Sequence, residues 1–195
     1  MAGSCPTAEN VTFGYDSTAA GNRGVGRLTS LTDAAGTASF VYDAYGNRAS
    51  EKRTIASIAY TTTYGYDLAG NVSRIAYPSG LIVNYQRDSR GQVANVTVQA
   101  NAAAAPAALA SSIAYMPFGG MLNATLGNGV QIANVYDYDY RLYSTQATGS
   151  ALIQKLTYGY DAGSNISGIT DGVAVNLSQT FQYDALGRVT KGTGA

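Results

Sequence analysis

Aromatic residues recur two positions apart along the chain, and each pair is followed by an aspartate. Residues i and i+2 share one face of a β-strand, so this alternation predicts strands that end in a Tyr-Asp pair. The aromatic pairs are Phe13/Tyr15, Phe40/Tyr42, Tyr64/Tyr66, Tyr158/Tyr160 and Phe181/Tyr183. In the clearest copies Asp-x-x-Gly follows, and it predicts a type I turn with a bulge, in which Asp accepts backbone N–H groups and Gly takes the left-handed position.

A β-branched and aliphatic stretch such as Asn71 to Ile75 follows each Tyr-Asp turn and predicts a second strand. These second strands end at turn-forming residues, among them Pro78-Ser79-Gly80, Asn128-Gly129 and Asp171-Gly172. Asn-Gly and Asp-Gly are strong signals for tight hairpins. The sequence therefore predicts an all-β fold, an antiparallel meander with about two strands per unit.

The motif recurs at intervals of roughly 21 to 27 residues, which indicates a repeat array. One interval of about 49 residues corresponds to two units, and a degenerate copy near 113–120 lies within it, at Tyr115 to Gly119. We expect one array of about eight units over residues 1–195, without a separate second domain. The Ala-rich segment 98–112, interrupted by Pro106, is interpreted as a long hairpin tip or loop.

The repeat motif is predicted to be structural, because a structural repeat needs the same residues in every unit whereas a binding site needs them once. Two turns depart from it, since Tyr140 and Ser164 stand where glycine is expected, and these turns must differ or tolerate strain. The residues assigned to the motif are Tyr15, Asp16, Tyr42, Asp43, Gly46, Tyr66, Asp67, Gly70, Asp88, Gly91, Tyr136, Asp137, Tyr160, Asp161, Tyr183, Asp184 and Gly187.

Composition narrows the classes of function. The chain has 12 basic and 12 acidic residues, so it has no basic field for nucleic acid or an anionic membrane surface. It has no histidine, which excludes Ser-His-Asp and Cys-His catalysis and histidine-ligated zinc within the chain. Cys5 is the single cysteine, so no internal disulfide forms. We see neither a signal peptide in residues 1–20 nor an apolar run long enough for a membrane span.

The repeated Y-x-Y-D-x-x-G-[NR] pattern resembles that of the RHS/YD-repeat family, and the resemblance covers nearly the whole chain. The block formed by Ile113 to Gly119, Gly127 to Gly129 and Tyr136 to Leu142 is similar to a stretch shortly upstream of the family's conserved core. The resemblance implies a long β-sheet strip that spirals into a hollow shell. In bacterial members that shell encloses a C-terminal toxin, and in the animal teneurins it serves cell–cell adhesion. Many members end their core in an Asp-Pro self-cleavage motif, and no Asp-Pro occurs here.

Three groups of residues are candidates for functional sites. The Tyr-Asp pairs suit glycans chemically, but their regular spacing favours a role in the fold. Asp137 and Asp139, at i and i+2, are expected to share a strand face opposite Tyr136, Tyr138 and Tyr140, where two carboxylates could bind Ca²⁺ or act as an acid and base. The glycine-rich stretch Gly21 to Gly26 matches no nucleotide-binding fingerprint and is interpreted as an enlarged turn.

The sequence thus predicts a non-enzymatic structural module, part of an RHS shell around a toxin or effector, with no catalytic residue, cofactor or metal. The alternative is a carbohydrate- or cell-surface-binding adhesion module. The expected partners are the remainder of a longer RHS polypeptide and its enclosed effector, with glycans as a further possibility. The expected location is secreted or at the cell surface as part of a larger bacterial protein. Cut from an array, the chain would expose sheet edges, so self-association is expected.

Overall fold

The computed structural model describes residues 10–117 and 119–194. It contains sixteen antiparallel strands whose order in the sheet is their order in the chain, which confirms the predicted all-β meander. The strands are β1 (Thr12–Tyr15), β2 (Leu28–Asp33), β3 (Gly36–Tyr42), β4 (Arg48–Ile55), β5 (Ile58–Tyr66), β6 (Val72–Ala76), β7 (Ile82–Arg87), β8 (Val93–Gln99), β9 (Ala107–Tyr115), β10 (Met121–Leu126), β11 (Gln131–Tyr136), β12 (Leu142–Thr148), β13 (Leu152–Tyr160), β14 (Ile166–Asp171), β15 (Gln179–Tyr183) and β16 (Val189–Gly194). Two short 3-10 helices lie at Ala19–Gly21 and Val175–Leu177.

The contacts divide the chain into two compact units. Among the described residues, unit 1 comprises 10–85 and 97–106, and unit 2 comprises 86–96, 107–117 and 119–194. Both are built from the same kind of hairpin, and the expectation of a single array without a second domain stays a prediction.

In unit 1 each strand pairs with the next one in the chain, from β1 through to β7. The hairpin of β3 and β4 has a long register, from Gly36↔Ile55 to Tyr42↔Arg48. The register shifts between Val41 and Tyr42, so a β-bulge lies where the motif tyrosine precedes the turn. The small core of this unit includes Ala38, Phe40, Ile82 and Val83.

In unit 2 the strands from β9 to β16 pair in succession. Bulges again precede the turns, between Val135 and Tyr136, between Gly159 and Tyr160, and between Gln182 and Tyr183. Among the described residues of this unit, Ala124 is the one hydrophobic residue that is buried. Such thin cores mean that the hairpins depend on their neighbours more than on a shared interior.

Two expectations from the sequence are wrong. Residues 98–112 are not one long loop, because β8 continues to Gln99 and β9 begins at Ala107, leaving a short connection between them. Alanine has a modest intrinsic preference against strands, but pairing with β10 decides the local structure here. Pro106 directly precedes β9, where a missing backbone N–H is tolerated.

The second wrong expectation concerns Asp137 and Asp139, which do not share a strand face. Strand β11 ends at Tyr136, and both aspartates belong to the turn that follows it. Gly21 to Gly26 lies in the connection between β1 and β2, as expected for an enlarged turn. Cys5 lies outside the described residues. Among the described residues no helix has the length and apolar character to cross a membrane.

Candidate functional site

The Tyr-Asp-x-x-Gly motif forms one turn geometry, which we call the Asp turn. At Asp43 the backbone N–H donates to the carbonyl of Asn47 at 2.9 Å, and the Gly46 N–H donates to the Asp43 carbonyl at 3.1 Å. The Asp43 carboxylate Oδ1 accepts the backbone N–H groups of Tyr45 and Asn47, each at 2.9 Å. Four backbone N–H donors and one carboxylate thus close a tight turn.

The same Asp turn recurs in both units. In every copy one carboxylate oxygen accepts the N–H groups two and four residues ahead. The other copies are at Asp67, Asp88, Asp137, Asp161 and Asp184. The degenerate copy keeps the backbone part of this pattern, because the Met116 N–H donates to the Gly120 carbonyl at 3.1 Å although the carboxylate is missing.

The fourth position of each Asp turn has a left-handed backbone. Gly70 has φ +81°, and the glycines of the other regular copies are similar. Tyr140 and Ser164 keep the same conformation, with φ of 61° and 63°, so these two turns do not change shape. They instead carry the backbone strain that a side chain brings to this region.

The residue after that position reinforces the carboxylate. An asparagine amide donates to Asp in three copies, as Asn165 does to Asp161 Oδ2 at 3.1 Å. Arginine takes this place in two others, where Arg141 Nε donates to Asp137 Oδ2 at 2.8 Å and Arg188 Nε donates to Asp184 Oδ2 at 2.7 Å. The carboxylate is therefore held by its own turn from both oxygens.

These hydrogen bonds stabilise the charged form of the carboxylates. The Gln92 backbone N–H lowers the pKa of Asp88, the Asn165 side chain lowers the pKa of Asp161, and the Arg188 backbone N–H lowers the pKa of Asp184. At Asp43 and Asp137, partial desolvation opposes the shift, and hydrogen bonds still leave the pKa of each carboxyl below its ordinary value. None of these carboxylates is set up as a proton acceptor near neutral pH.

In six hairpins a tyrosine at the end of the first strand joins the hairpin to the one before it. Its hydroxyl donates to a backbone carbonyl of the preceding hairpin, that of the first residue in the second strand of that hairpin. We call this contact the inter-hairpin hydrogen bond. In unit 1, Tyr42 donates to Leu28 at 2.8 Å and Tyr66 donates to Arg48 at 2.9 Å. In unit 2 the donor and acceptor pairs are Tyr115 and Val93, Tyr136 and Met121, Tyr160 and Leu142, and Tyr183 and Ile166.

Arginine side chains add a second contact between neighbouring hairpins. The Arg141 guanidinium lies 4.5 Å from the centre of the Tyr160 ring, and that of Arg27 lies 5.4 Å from the centre of the Tyr42 ring. In each case the arginine belongs to the hairpin before that of the tyrosine. The cation–π contact therefore acts on the same junction as the inter-hairpin hydrogen bond.

The first turn differs from the others. Asp16 itself is left-handed, with φ 63°, and its Oδ1 accepts the Gly26 N–H. The enlarged connection sends Asn22 into a buried position, where its amide donates to the Phe40 carbonyl at 3.0 Å and its Oδ1 accepts the Tyr42 N–H at 2.8 Å. A buried asparagine that pairs with strand backbone is thus structural, and its place in a glycine-rich loop gave no sequence signal for it.

No cluster of three or more histidine, cysteine, aspartate or glutamate side chains suited to a metal ion occurs among the described residues. Asp137 and Asp139 both face Arg141, whose Nη2 lies 2.8 Å and 3.1 Å from their carboxylates. The arrangement is an ion-paired turn. It offers no second carboxylate free to act opposite the first.

Comparison with known proteins agrees with this geometry. A family model described as RHS Repeat matches residues 24–54, which span β2, β3 and most of β4. The comparison with curated proteins found no match.

Among the solved structures that are similar in fold are the following three. The chain matches TcdB2-TccC3 with a TM-score of 0.86 and 18% identity, covering 94% of this chain and 11% of that one. It matches TcdB2-TccC3 without the hypervariable C-terminal region with a TM-score of 0.85, 19% identity, and coverage of 94% and 10%. It matches the Photorhabdus luminescens Tc holotoxin pore with a TM-score of 0.84, 19% identity, and coverage of 94% and 10%. The chain therefore spans about a tenth of the length of these chains. Together with the family-model match at residues 24–54, the shared fold confirms the resemblance to the RHS/YD-repeat family.

Proposed function

We propose that this chain is a non-enzymatic structural module, a segment of an RHS-type shell wall in a larger bacterial protein. The observation that carries the proposal is that the repeated side chains are used by the fold itself. Hydrogen bonds within the Asp turns use both carboxylate oxygens of most motif aspartates, as at Asp161. The inter-hairpin hydrogen bonds use the hydroxyls of the motif tyrosines, as at Tyr160.

The inter-hairpin hydrogen bonds support a role as wall. They link six hairpins to the preceding one at a constant place, so the array grows by addition of like units. Few side chains are buried within either unit, and large hydrophobic residues such as Phe13 and Val189 are exposed on the strands β1 and β16. Surfaces of this kind suit a segment that is continued by further repeats.

The enclosed effector is the finer part of the proposal. In our interpretation the partners are the rest of the RHS polypeptide and a C-terminal toxin or effector inside it, in a protein that is secreted or held at the cell surface. Support comes from the fold of the Tc toxin chains, which this chain shares over a tenth of their length. The alternative of a carbohydrate-binding adhesion module stays a prediction, as does self-association.

Limited proteolysis of the complete polypeptide tests the enclosure. If the array forms a wall, intact protein should protect the enclosed domain, and the double variant Tyr66→Ala/Tyr160→Ala should make that domain sensitive to protease. The matched control is Tyr45→Ala/Tyr138→Ala, which removes two exposed tyrosines without inter-hairpin hydrogen bonds among the described residues. A domain that is cleaved equally fast in the intact protein and the variant would overturn the proposal.

A further inference from the structure

A groove beside the Asp turn of Asp137 in unit 2 has a composition unlike that of the other turns. We call it the tyrosine groove. Its volume is about 550 Å³, within the range of ligand sites in proteins. It is lined by Met116, Tyr136, Asp137, Tyr138, Tyr140 and Tyr143.

Three of these tyrosines are not used by the fold. Tyr138 is fully exposed, and Tyr140 and Tyr143 are 62% and 51% exposed. Within the part of the chain that the structure describes, none of their hydroxyls forms a hydrogen bond with another residue, whereas Tyr136 in the same groove donates to Met121 at 3.0 Å. The groove therefore presents three aromatic rings and three available hydroxyl groups.

The carboxylate in the groove has little capacity left for a ligand. Asp137 Oδ1 accepts the N–H groups of Asp139 and Arg141, and Oδ2 accepts Arg141 Nε at 2.8 Å. A saccharide is usually held by amide or carboxylate groups that bind two of its hydroxyls at once, and among the described lining residues only the single hydroxyls of tyrosine remain for this. A ligand that brings its own acceptors and flat apolar faces fits better.

Tyr140 adds a conformational observation. It holds the left-handed position at φ 61°, where four regular Asp turns have glycine. A bulky residue there is strained, and strain of this kind is often found where a side chain is needed for contact. Glycine would remove the strain but also the ring.

We propose that the tyrosine groove binds a proline-rich peptide in the polyproline II conformation. The pyrrolidine rings of the peptide would lie against the rings of Tyr138, Tyr140 and Tyr143. The carbonyl groups of the peptide would accept hydrogen bonds from the three tyrosine hydroxyls. A polyproline II segment has no internal hydrogen bonds, so its carbonyls are free, and little conformational entropy is lost on binding.

Charge indicates which peptides fit. Asp137 lines the groove, and its ion-pair partner Arg141 also contacts Asp139. The three side chains leave one net negative charge beside the groove, with Asp139 the more exposed of the two carboxylates. A proline-rich segment flanked by lysine or arginine is therefore complementary, and one flanked by acidic residues is disfavoured.

Fluorescence anisotropy with the full chain tests the proposal. The probe is a labelled peptide of eight prolines between two lysines, and its reference is a Gly/Ser peptide of equal length and charge. We expect saturable binding of the proline peptide, at least fivefold tighter than that of the reference. Tyr138→Ala and Tyr143→Ala should each weaken binding at least fivefold, while Tyr45→Ala, an exposed turn tyrosine of unit 1, should leave it unchanged.

Tyr140→Gly separates binding from folding. It should raise the melting temperature and also weaken peptide binding, because the strain and the ring leave together. A higher melting temperature with unchanged affinity would show that Tyr140 has no part in binding. Equal binding of both peptides, or no binding of either, would overturn the proposal, and so would binding of cellotriose that the same tyrosine variants abolish.

Discussion

Tyr160→Phe isolates the inter-hairpin hydrogen bond from the rest of the motif. Phenylalanine keeps the ring, its packing and the cation–π contact with Arg141, so the lost group is the hydroxyl that donates to the Leu142 carbonyl at 2.8 Å. A typical hydrogen bond contributes about 0.5–1.5 kcal/mol net to stability. Leu142 is half-buried, so water replaces the lost donor only in part, and we expect a loss of about 1 kcal/mol.

Thermal unfolding followed by circular dichroism measures this loss. For a chain of this size about 1 kcal/mol lowers the melting temperature by roughly 2–4 °C. The matched control is Tyr143→Phe in the same unit, because that hydroxyl forms no hydrogen bond with another described residue and its removal should change the midpoint by less than about 1 °C. If both variants melt at the same temperature, the inter-hairpin hydrogen bond does not stabilise the array and our reasoning is refuted.

Three further predictions concern the Asp turns. Gly70→Val should lower the free energy of unfolding in urea by about 1–2 kcal/mol, because Gly70 has φ +81°, a conformation that strains a valine backbone. The space around Gly70 is open, so no steric clash contributes to this loss. Wild-type stability of the variant would refute the turn assignment. Tyr140→Gly should raise stability by about 0.5–1 kcal/mol, since the relief of left-handed strain exceeds the entropic cost of glycine, and a lower melting temperature would contradict this. Ser164→Gly should raise stability by less, because it also removes the hydroxyl to which Arg141 Nη1 donates at 2.9 Å. Stability should also fall in acid. The folded-state pKa values of Asp88, Asp161 and Asp184 lie below the ordinary value, so their stabilisation is present above that value and is lost as pH falls through the folded pKa. Melting temperatures from pH 7 to pH 3 check this, and Asp161→Asn should lessen the dependence.

Local patterns in the sequence predicted the strands and turns well. The alternation of Phe40 and Tyr42 before Asp43 marks both the strand and its end, because side-chain periodicity and turn chemistry depend on neighbouring residues alone. The same reasoning located the degenerate turn at Met116, where the backbone hydrogen bonds survive without aspartate.

Features that depend on contacts between distant residues could not be predicted. The acceptor of each tyrosine hydroxyl is a backbone carbonyl, such as that of Leu142 for Tyr160, and a carbonyl has no sequence signature. Strand β9 escaped prediction because its alanines carry little strand preference and are held by pairing with β10. The tyrosine groove did have a signal, namely the run of tyrosines at 136, 138, 140 and 143, which no other unit contains.

The structure of the complete polypeptide by cryo-electron microscopy tests the central claim most directly. Our account predicts that residues 10–194 form part of a continuous β-sheet wall, with further repeats on both β1 and β16, around a space that holds density for an effector. A map in which this segment stands apart as a separate domain, without an enclosed space, would contradict the account.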